Sequence, residues 1–394
     1  MKLHGLLLFA AVFICMSCVE KERSDNLLVG GVWVTKYNRD FGWWNRLAFE
    51  FINEDIVDTK HDLYFEVDTT KDIFDARRLV HFFGSKTKYK IERDSLYIYD
   101  PGERRWGERI KISKVTKDTL ILISAKKGEN VFTRKFYNIK DKGHFDKIVL
   151  CAGPCFGSCP VTDIIVDSKG DVFFRKYGRG KDDYRPKYFE SHISTKKFEK
   201  IEKNFLCVDE SRLKSYYDIG GTDSPTISTT LCSNHKIRKS VTDYGPCGPD
   251  ELVWAYPELE YLYLNQKFEE IPNERMPLHA QLDLGWIEHG DEKVDLNKSE
   301  RFLLSYYLMK GAVVPNQSVR PKYVMPYIRD FTLADPINQK SKILKVESDG
   351  RLFKFYEEKG NSYVVDIGFN FLGDNFQLFK EEKLWLDNFE ENVY

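Results

Sequence analysis

The sequence predicts a chain that is mainly β and then α+β. It reads as an N-terminal antiparallel β-barrel, a central α+β domain with an antiparallel sheet and two helices, and a small C-terminal α+β region. Three observations predict this. Between Leu27 and about Asn138, eight short β-branched and aromatic runs recur with Asp, Gly, Asn or Ser between them, the pattern of a sandwich or barrel. From Phe145 to Phe268, strand runs mix with two segments of helical apolar periodicity. From Glu269 onward, a capped helix and a strand meander form a third pattern. The chain has 394 residues and 42% hydrophobic content, enough for several packed cores. The expected division is 27–140, 145–268 and 269–394.

The barrel runs are Gly31–Val34, Arg46–Phe51, Leu63–Val67, Lys88–Ile91, Ser95–Tyr99, Arg109–Ile112, Thr119–Ile123 and Val131–Phe136. In the central block, Lys147–Leu150 leads into a cysteine-rich stretch, and Val161–Asp167 and Val172–Tyr177 form a hairpin across Ser168-Lys169-Gly170-Asp171. Ser194 caps a helix with Phe198, Ile201 and Phe205 inward. Thr226–Leu231 and Ile237–Val241 make a second strand pair. Pro249 opens a helix with Leu252, Leu259 and Leu262 inward, interrupted near Pro257. In the last block Asn297-Lys298-Ser299-Glu300 reads as a capping box, with Gly311 as the C-cap. Ser348-Asp349-Gly350 turns between Lys342–Glu347 and Arg351–Glu357, and Ser362–Ile367 continues as a third strand. Periodicity leaves Phe376–Phe389 open between helix and strand.

Lys plus Arg number 60 and Asp plus Glu 61, scattered along the chain, so the overall balance supplies no footprint for nucleic acid. There is no G-x-S-x-G, H-E-x-x-H or P-loop. His61, His81, His144, His192, His235, His279 and His289 are dispersed without ligand spacing. Asp167, Asp171, Asp182 and Asp183 lie in turn-like segments where Asp is common. No catalytic residue, metal or cofactor is expected. The segment 209–225, with Tyr216 and Tyr217, reads as a surface loop.

The N-terminus directs the expected location. Met1-Lys2 precedes an apolar run, Leu6–Ile14, too short to span a membrane. It ends at Cys15-Met16-Ser17-Cys18, and Glu20 and Glu22 follow. This resembles a bacterial lipoprotein signal with Ser17 before a lipidated Cys18, although Cys15 stands where Leu is usual. The resemblance implies a signal peptide over 1–17, a tether over 18–26 and a membrane anchor at Cys18 without a spanning helix. The acidic residues after Cys18 resemble export tags of Bacteroidetes-type lipoproteins, which implies the cell envelope, and the outer membrane in particular.

Cysteines carry the remaining chemistry. "CAGPCFGSCP" spaces Cys151, Cys155 and Cys159 as C-x3-C-x3-C. Metal and redox readings both fit poorly. The spacing is neither C-x3-C-x2-C nor C-x2-C, and a β run rather than a helix follows Pro160. A disulfide fits an oxidising compartment. Of eight cysteines, removal of Cys15 and lipidation of Cys18 leave six. Cys155 and Cys159 enclose Gly157, which can turn the chain. Cys151–Cys247 and Cys207–Cys232 are one of the fifteen ways in which all six could pair.

Two resemblances extend the reading. Gly31 and Trp33 form G-x-W on the first strand, and with the eight β runs this resembles the lipocalin-like domains of bacterial lipoproteins, in which the Trp would plug one barrel end. Strands this short favour a filled interior over one that holds a ligand. Residues 145–268 resemble a bacterial envelope domain family of unknown function built on C-F-G-x-C-P, here Cys155 to Pro160. Thr222-Asp223-Ser224-Pro225 and Asp243-Tyr244-Gly245 complete the match, and Thr162 departs from the family's usual Tyr. The expected function is a non-enzymatic, membrane-anchored envelope module that binds a small apolar ligand or an envelope protein. The alternative is a thiol–disulfide oxidoreductase using Cys155 and Cys159.

Overall fold

The computed structural model describes residues 27–35, 47–71, 78–126, 128–139, 142–156, 159, 161–177, 186–315, 317–326, 328–330 and 342–390. Cys18 with the whole signal and tether, Gly157, Ser158, Pro160, Asp182 and Asp183 lie outside the described residues. The chain divides into two compact units, an N-terminal one reaching Asn138 and a second running from Ile139 to the end.

The first unit is a closed barrel. Its strands are β1 (Val32–Thr35), β2 (Ala48–Phe51), β3 (Ile56–Asp58), β6 (Lys86–Glu92), β7 (Ser95–Asp100), β9 (Ile110–Val115), β10 (Thr119–Ser124) and β11 (Gly128–Lys135). They follow the order β6-β3-β2-β1-β11-β10-β9-β7, and β7 pairs back onto β6 to close the ring of eight. Every pairing is antiparallel. The expected fold class holds, with one exchange of members. The run Leu63–Val67 is not a barrel strand. It supplies β4 (Tyr64–Val67), which pairs with β5 (Leu79–Gly84) in a separate two-stranded sheet. The missing member is β3, only three residues long, which follows a turn where Asn53 Oδ1 accepts from Asp55 and Ile56 N–H. A run that short, set among acidic residues, carries almost no periodicity. The two-residue β8 (Arg105–Trp106) extends β7 at its outer end.

The second unit is built on an eight-stranded sheet of order β16-β18-β17-β12-β13-β14-β15-β19. Its strands are β12 (Lys147–Ala152), β13 (Thr162–Asp167), β14 (Asp171–Lys176), β15 (Lys187–His192), β16 (Tyr216–Asp218), β17 (Thr226–Ser233), β18 (Lys236–Tyr244) and β19 (Glu269–Ile271). Only β16 with β18 is parallel. Tyr216 and Tyr217 therefore belong to an edge strand rather than a loop. Helix α1 (Thr195–Leu206) starts at Ser194, whose side chain accepts from Lys197 N–H at 3.3 Å. Helix α2 (Asp250–Glu260) contains Pro257 and gives way at Tyr261 to the single turn α3 (Leu262–Asn265). Helices α1 and α2 cover one face of the sheet with a core that includes Ile148, Leu150, Phe174, Phe205 and Leu259.

Described residues from Met276 onward cover the opposite face. Helix α4 (Lys298–Lys310) carries the expected capping box: Glu300 N–H donates to Asn297 Oδ1 at 3.0 Å and Asn297 N–H to Glu300 Oε2 at 2.8 Å. Nearly every residue from Ser299 to Leu308 is buried, as in a helix packed between layers. One side meets Val149, Cys151, Ile165 and Phe173 of the central sheet, and Phe173 stacks on Phe302 at 5.6 Å. Beyond it, besides the short pair β20 (Leu282–Leu284) and β25 (Ile328–Asp330), lies a seven-stranded sheet made of β21 (Trp286–His289), β22 (Glu292–Asp295), β23 (Ala312–Val314), β24 (Tyr323–Met325), β26 (Ile343–Ser348), β27 (Leu352–Glu357) and β28 (Ser362–Asp366). Gly350 turns β26 into β27 at φ 109°, where a Cβ would collide with Asn370. The undecided last segment is helix α5 (Phe371–Glu390), and its Asn375 accepts from Ile237 N–H of β18 at 2.7 Å. One continuous core thus spans the position near Phe268 where the sequence pattern changes. No helix among the described residues is long and apolar enough to cross a membrane.

Candidate functional site

The barrel interior is assembled from alternate residues of each strand. At one end Trp33 is fully buried, and its indole N–H donates to the Leu28 carbonyl at 2.9 Å. The Arg134 guanidinium lies 4.1 Å from the Trp33 ring centroid and donates to the Leu27 carbonyl. Gly31 makes this close approach possible. It sits at φ 79°, and a Cβ there would come within 2.9 Å of the Lys135 carbonyl. Phe51 and Tyr89 meet edge to face at 5.0 Å, and Leu96, Leu120 and Val57 fill the remainder of this half.

Toward the other end the packing stops. Phe49 and Phe132, 5.4 Å apart, form a floor with Leu122, and above them opens a cavity of about 510 Å³. The expectation of a filled barrel therefore holds for the Trp33 half only. The cavity walls add Leu47, Ile98 and Ile110, and its mouth carries Tyr64, Asp100, Glu108, Lys126 and Asn130. Glu108 and Lys126 pair at 2.6 Å. Burial pushes the Tyr64 hydroxyl up to about 12, so it stays a neutral hydrogen-bonding group. Below the mouth, Lys60 ties Glu50 at 2.6 Å to Asp58 at 2.9 Å, and Ser85 donates to Asp58 at 2.6 Å. Burial works against the Asp58 carboxylate, but Lys60 and Ser85 outweigh it and hold it charged. That cluster anchors the segment that carries Tyr64 to the mouth. An apolar floor under a polar mouth, at this volume, is the usual form of a small-molecule site.

The cysteine motif lies at one end of the central sheet. Cys155 and Cys159 form a disulfide with Cα atoms 5.6 Å apart. Gly153 N–H donates to the Thr226 carbonyl at 2.7 Å and Phe156 N–H to the Asp223 carbonyl at 3.1 Å, so the loop is tied to the segment before β17. Ser224 N–H donates to Tyr244 Oη at 3.3 Å. Asp243, buried, accepts from Cys247 N–H at 2.8 Å, Gly248 N–H at 3.1 Å and Tyr256 Oη–H at 3.1 Å. The three motif segments, far apart in sequence, thus meet around one loop. The Phe156 side chain is 84% exposed.

The other expected cysteine pairs are not formed. Cys151 and Cys232 lie in the core shared with residues 269–390, whereas Cys207 ends α1 and Cys247 precedes α2 on the opposite face. Each pairing would have to cross the sheet. Cys151 Sγ donates to the Lys298 carbonyl at 3.7 Å, and burial pushes the thiols of Cys151 and Cys232 up, so both stay protonated. Next to Cys151, Asp163 has no exposed side-chain surface. It is held by Arg175 at 2.8 Å and by Lys298 at 2.9 Å, a buried ion cluster that joins α4 to the central sheet. Sequence reading missed this cluster because its members lie more than 130 residues apart at the extreme. No group of three or more His, Cys, Asp or Glu among the described residues is placed to hold a metal ion.

Comparison with known proteins adds one match. Residues 146–263 fit the model of a family described as a domain of unknown function, DUF6438. No curated protein and no solved structure matches the chain.

Proposed function

We propose that the chain is a non-enzymatic binding protein of the bacterial cell envelope whose barrel takes one small apolar ligand, with Cys18 as its lipid anchor. The cavity of about 510 Å³ over Phe49, Leu122 and Phe132 carries this reading. Its floor suits an apolar body, and the mouth residues Tyr64, Asp100 and Asn130 suit a polar end. The run Leu6–Ile14 before Ser17-Cys18 and the acidic Glu20 and Glu22 support an outer-membrane anchor of the Bacteroidetes type. That β13 follows Cys159, with no helix dipole to stabilise a thiolate, supports a structural clasp at Cys155–Cys159 over a thiol–disulfide exchanger.

Titration with the neutral dye Nile red tests the cavity. One saturable site with blue-shifted emission is expected, and it should be lost in Asn130→Trp, which fills the mouth. Unsaturable binding, or binding unchanged in that variant, rejects the reading. Cys18→Ala should release the protein from membranes; a variant that stays membrane-bound rejects the anchor.

A further inference from the structure

Charges that look scattered along the sequence are collected by strand register on one outer wall of the barrel. Strands β6 and β7 are neighbours, and β8 with β9 lies along the other side of β7: Lys90 pairs with Tyr97, Tyr99 with Trp106, and Ser95 with Lys111. Tyr89, Leu96 and Ile110 point inward to the core. Alternation then places Lys86, Lys88 and Lys90 outside on β6, Tyr97 and Tyr99 outside on β7, and Lys111 outside on β9. After the β-bulge opposite Ile121 and Leu122, Lys114 joins the same face. Lys86, Lys88, Lys111 and Lys114 are exposed.

Between Lys86 and Lys117 there are ten Lys or Arg against five Asp or Glu, in a chain whose totals are 60 and 61. Acids on this wall sit at the strand ends: Glu92 pairs with Lys90 at 2.8 Å, Asp94 with Arg109 at 3.1 Å, and Glu103 with Arg105. Lys88, Lys111 and Lys114 make no ion pair among the described residues. The strip between the lysine rows is aromatic. Trp106, 39% exposed, meets Tyr99 at 5.3 Å, and the Lys90 ammonium stands 4.8 Å from the Trp106 centroid and 5.3 Å from that of Tyr97.

We propose that this wall binds an acidic polysaccharide. Outward lysines on one strand repeat at about 7 Å, and the two lysine rows stand about 10 Å apart across two strand spacings. That grid suits a polymer with carboxylates repeated along its length, while the tilted aromatic strip gives its sugar rings apolar edge contacts that need no parallel stacking. A glycan fits better than single-stranded nucleic acid. Trp106 and Tyr99 stand at 64° to each other with Lys90 over the ring, so they offer no parallel open faces for consecutive bases.

The test passes the full chain over immobilised alginate, a polyuronate, and over uncharged dextran. Retention on alginate alone is expected, weakening steeply with salt. The Lys88→Glu, Lys111→Glu double variant should bind alginate at least tenfold more weakly with an unchanged melting temperature, since both side chains are exposed. Trp106→Ala should weaken it several-fold. No retention, or equal retention of the charge-reversed variant, overturns the proposal. Tighter binding to a single-stranded DNA oligonucleotide than to alginate at equal charge concentration overturns the choice of a glycan.

Discussion

The barrel and the central sheet use the same kind of strand in opposite ways. In barrel strands such as β6 and β10 only one side is packed and burial alternates: in β10 Leu120 and Leu122 are buried and their neighbours less so. The central strands β12 and β13 are buried at nearly every position because α1 and α2 press on one face and α4 on the other. A strand with two packed sides has no spare volume. A barrel whose strands are short can leave part of its interior unfilled, and here it does so at the end away from Trp33. The lesson is that tolerance to substitution, and with it room for a ligand, is set by what lies on the second side of a strand.

The sharpest way to break this contrast is to cut into the layer that fills the second face. Phe302 is fully buried, stacked on Phe173 and 4.5 Å below the Arg175 guanidinium. Phe302→Ala should cost about 4 kcal/mol. Because one core runs from β12 to α5, residues 139–394 should lose stability as a single cooperative transition in urea. Separate transitions for 145–268 and 269–394 would show the two layers to be independent.

A change in pH sharpens the same contrast with a smaller effect. His279 is buried against Phe355 and Tyr363 in the second-face core, and burial lowers its pKa to about 4 from 6.5, against a hydrogen bond with the Leu308 backbone. The unfolded chain takes up the proton first. The neutral imidazole's contribution is therefore full above about pH 6.5 and is lost as pH falls toward 4, a loss of about 3 kcal/mol. Unfolding free energies from urea titrations at pH 7 and pH 4.5 should differ by about 2 kcal/mol from this group, most of the full loss, and His279→Phe should remove that part of the difference.

The smallest effect is expected at the barrel mouth. Asn130→Trp adds a large side chain where the interior is unfilled, so barrel stability should change by less than about 1 kcal/mol. A thermal melt of the variant showing a loss as large as that of Phe302→Ala would mean that the cavity is a packed core after all.

Much of the local structure was legible in the sequence. The Ser194 cap, the Asn297–Glu300 capping box and the turn at Gly350 each depend on contacts within four residues, and each lies where its residues indicate. The Cys155–Cys159 disulfide closes a loop of the same size. The eightfold count of barrel strands was legible too, but not their membership. β3 is too short to show a period, whereas Tyr64–Val67 shows one and pairs outside the ring.

By itself, then, the sequence determined the strand-rich first half, the helix caps, the tight turns and the local disulfide, because short-range hydrogen bonds and steric limits act within a turn. Only the tertiary structure decided the rest. It set α4 against β12 across some 150 positions, put Cys151 and Cys207 on opposite faces, joined Asp163 to Lys298, and stopped the barrel packing above Phe49 and Phe132. These outcomes depend on which surfaces remain uncovered after every element has formed, and a strand's own residues do not state what will arrive on its second side.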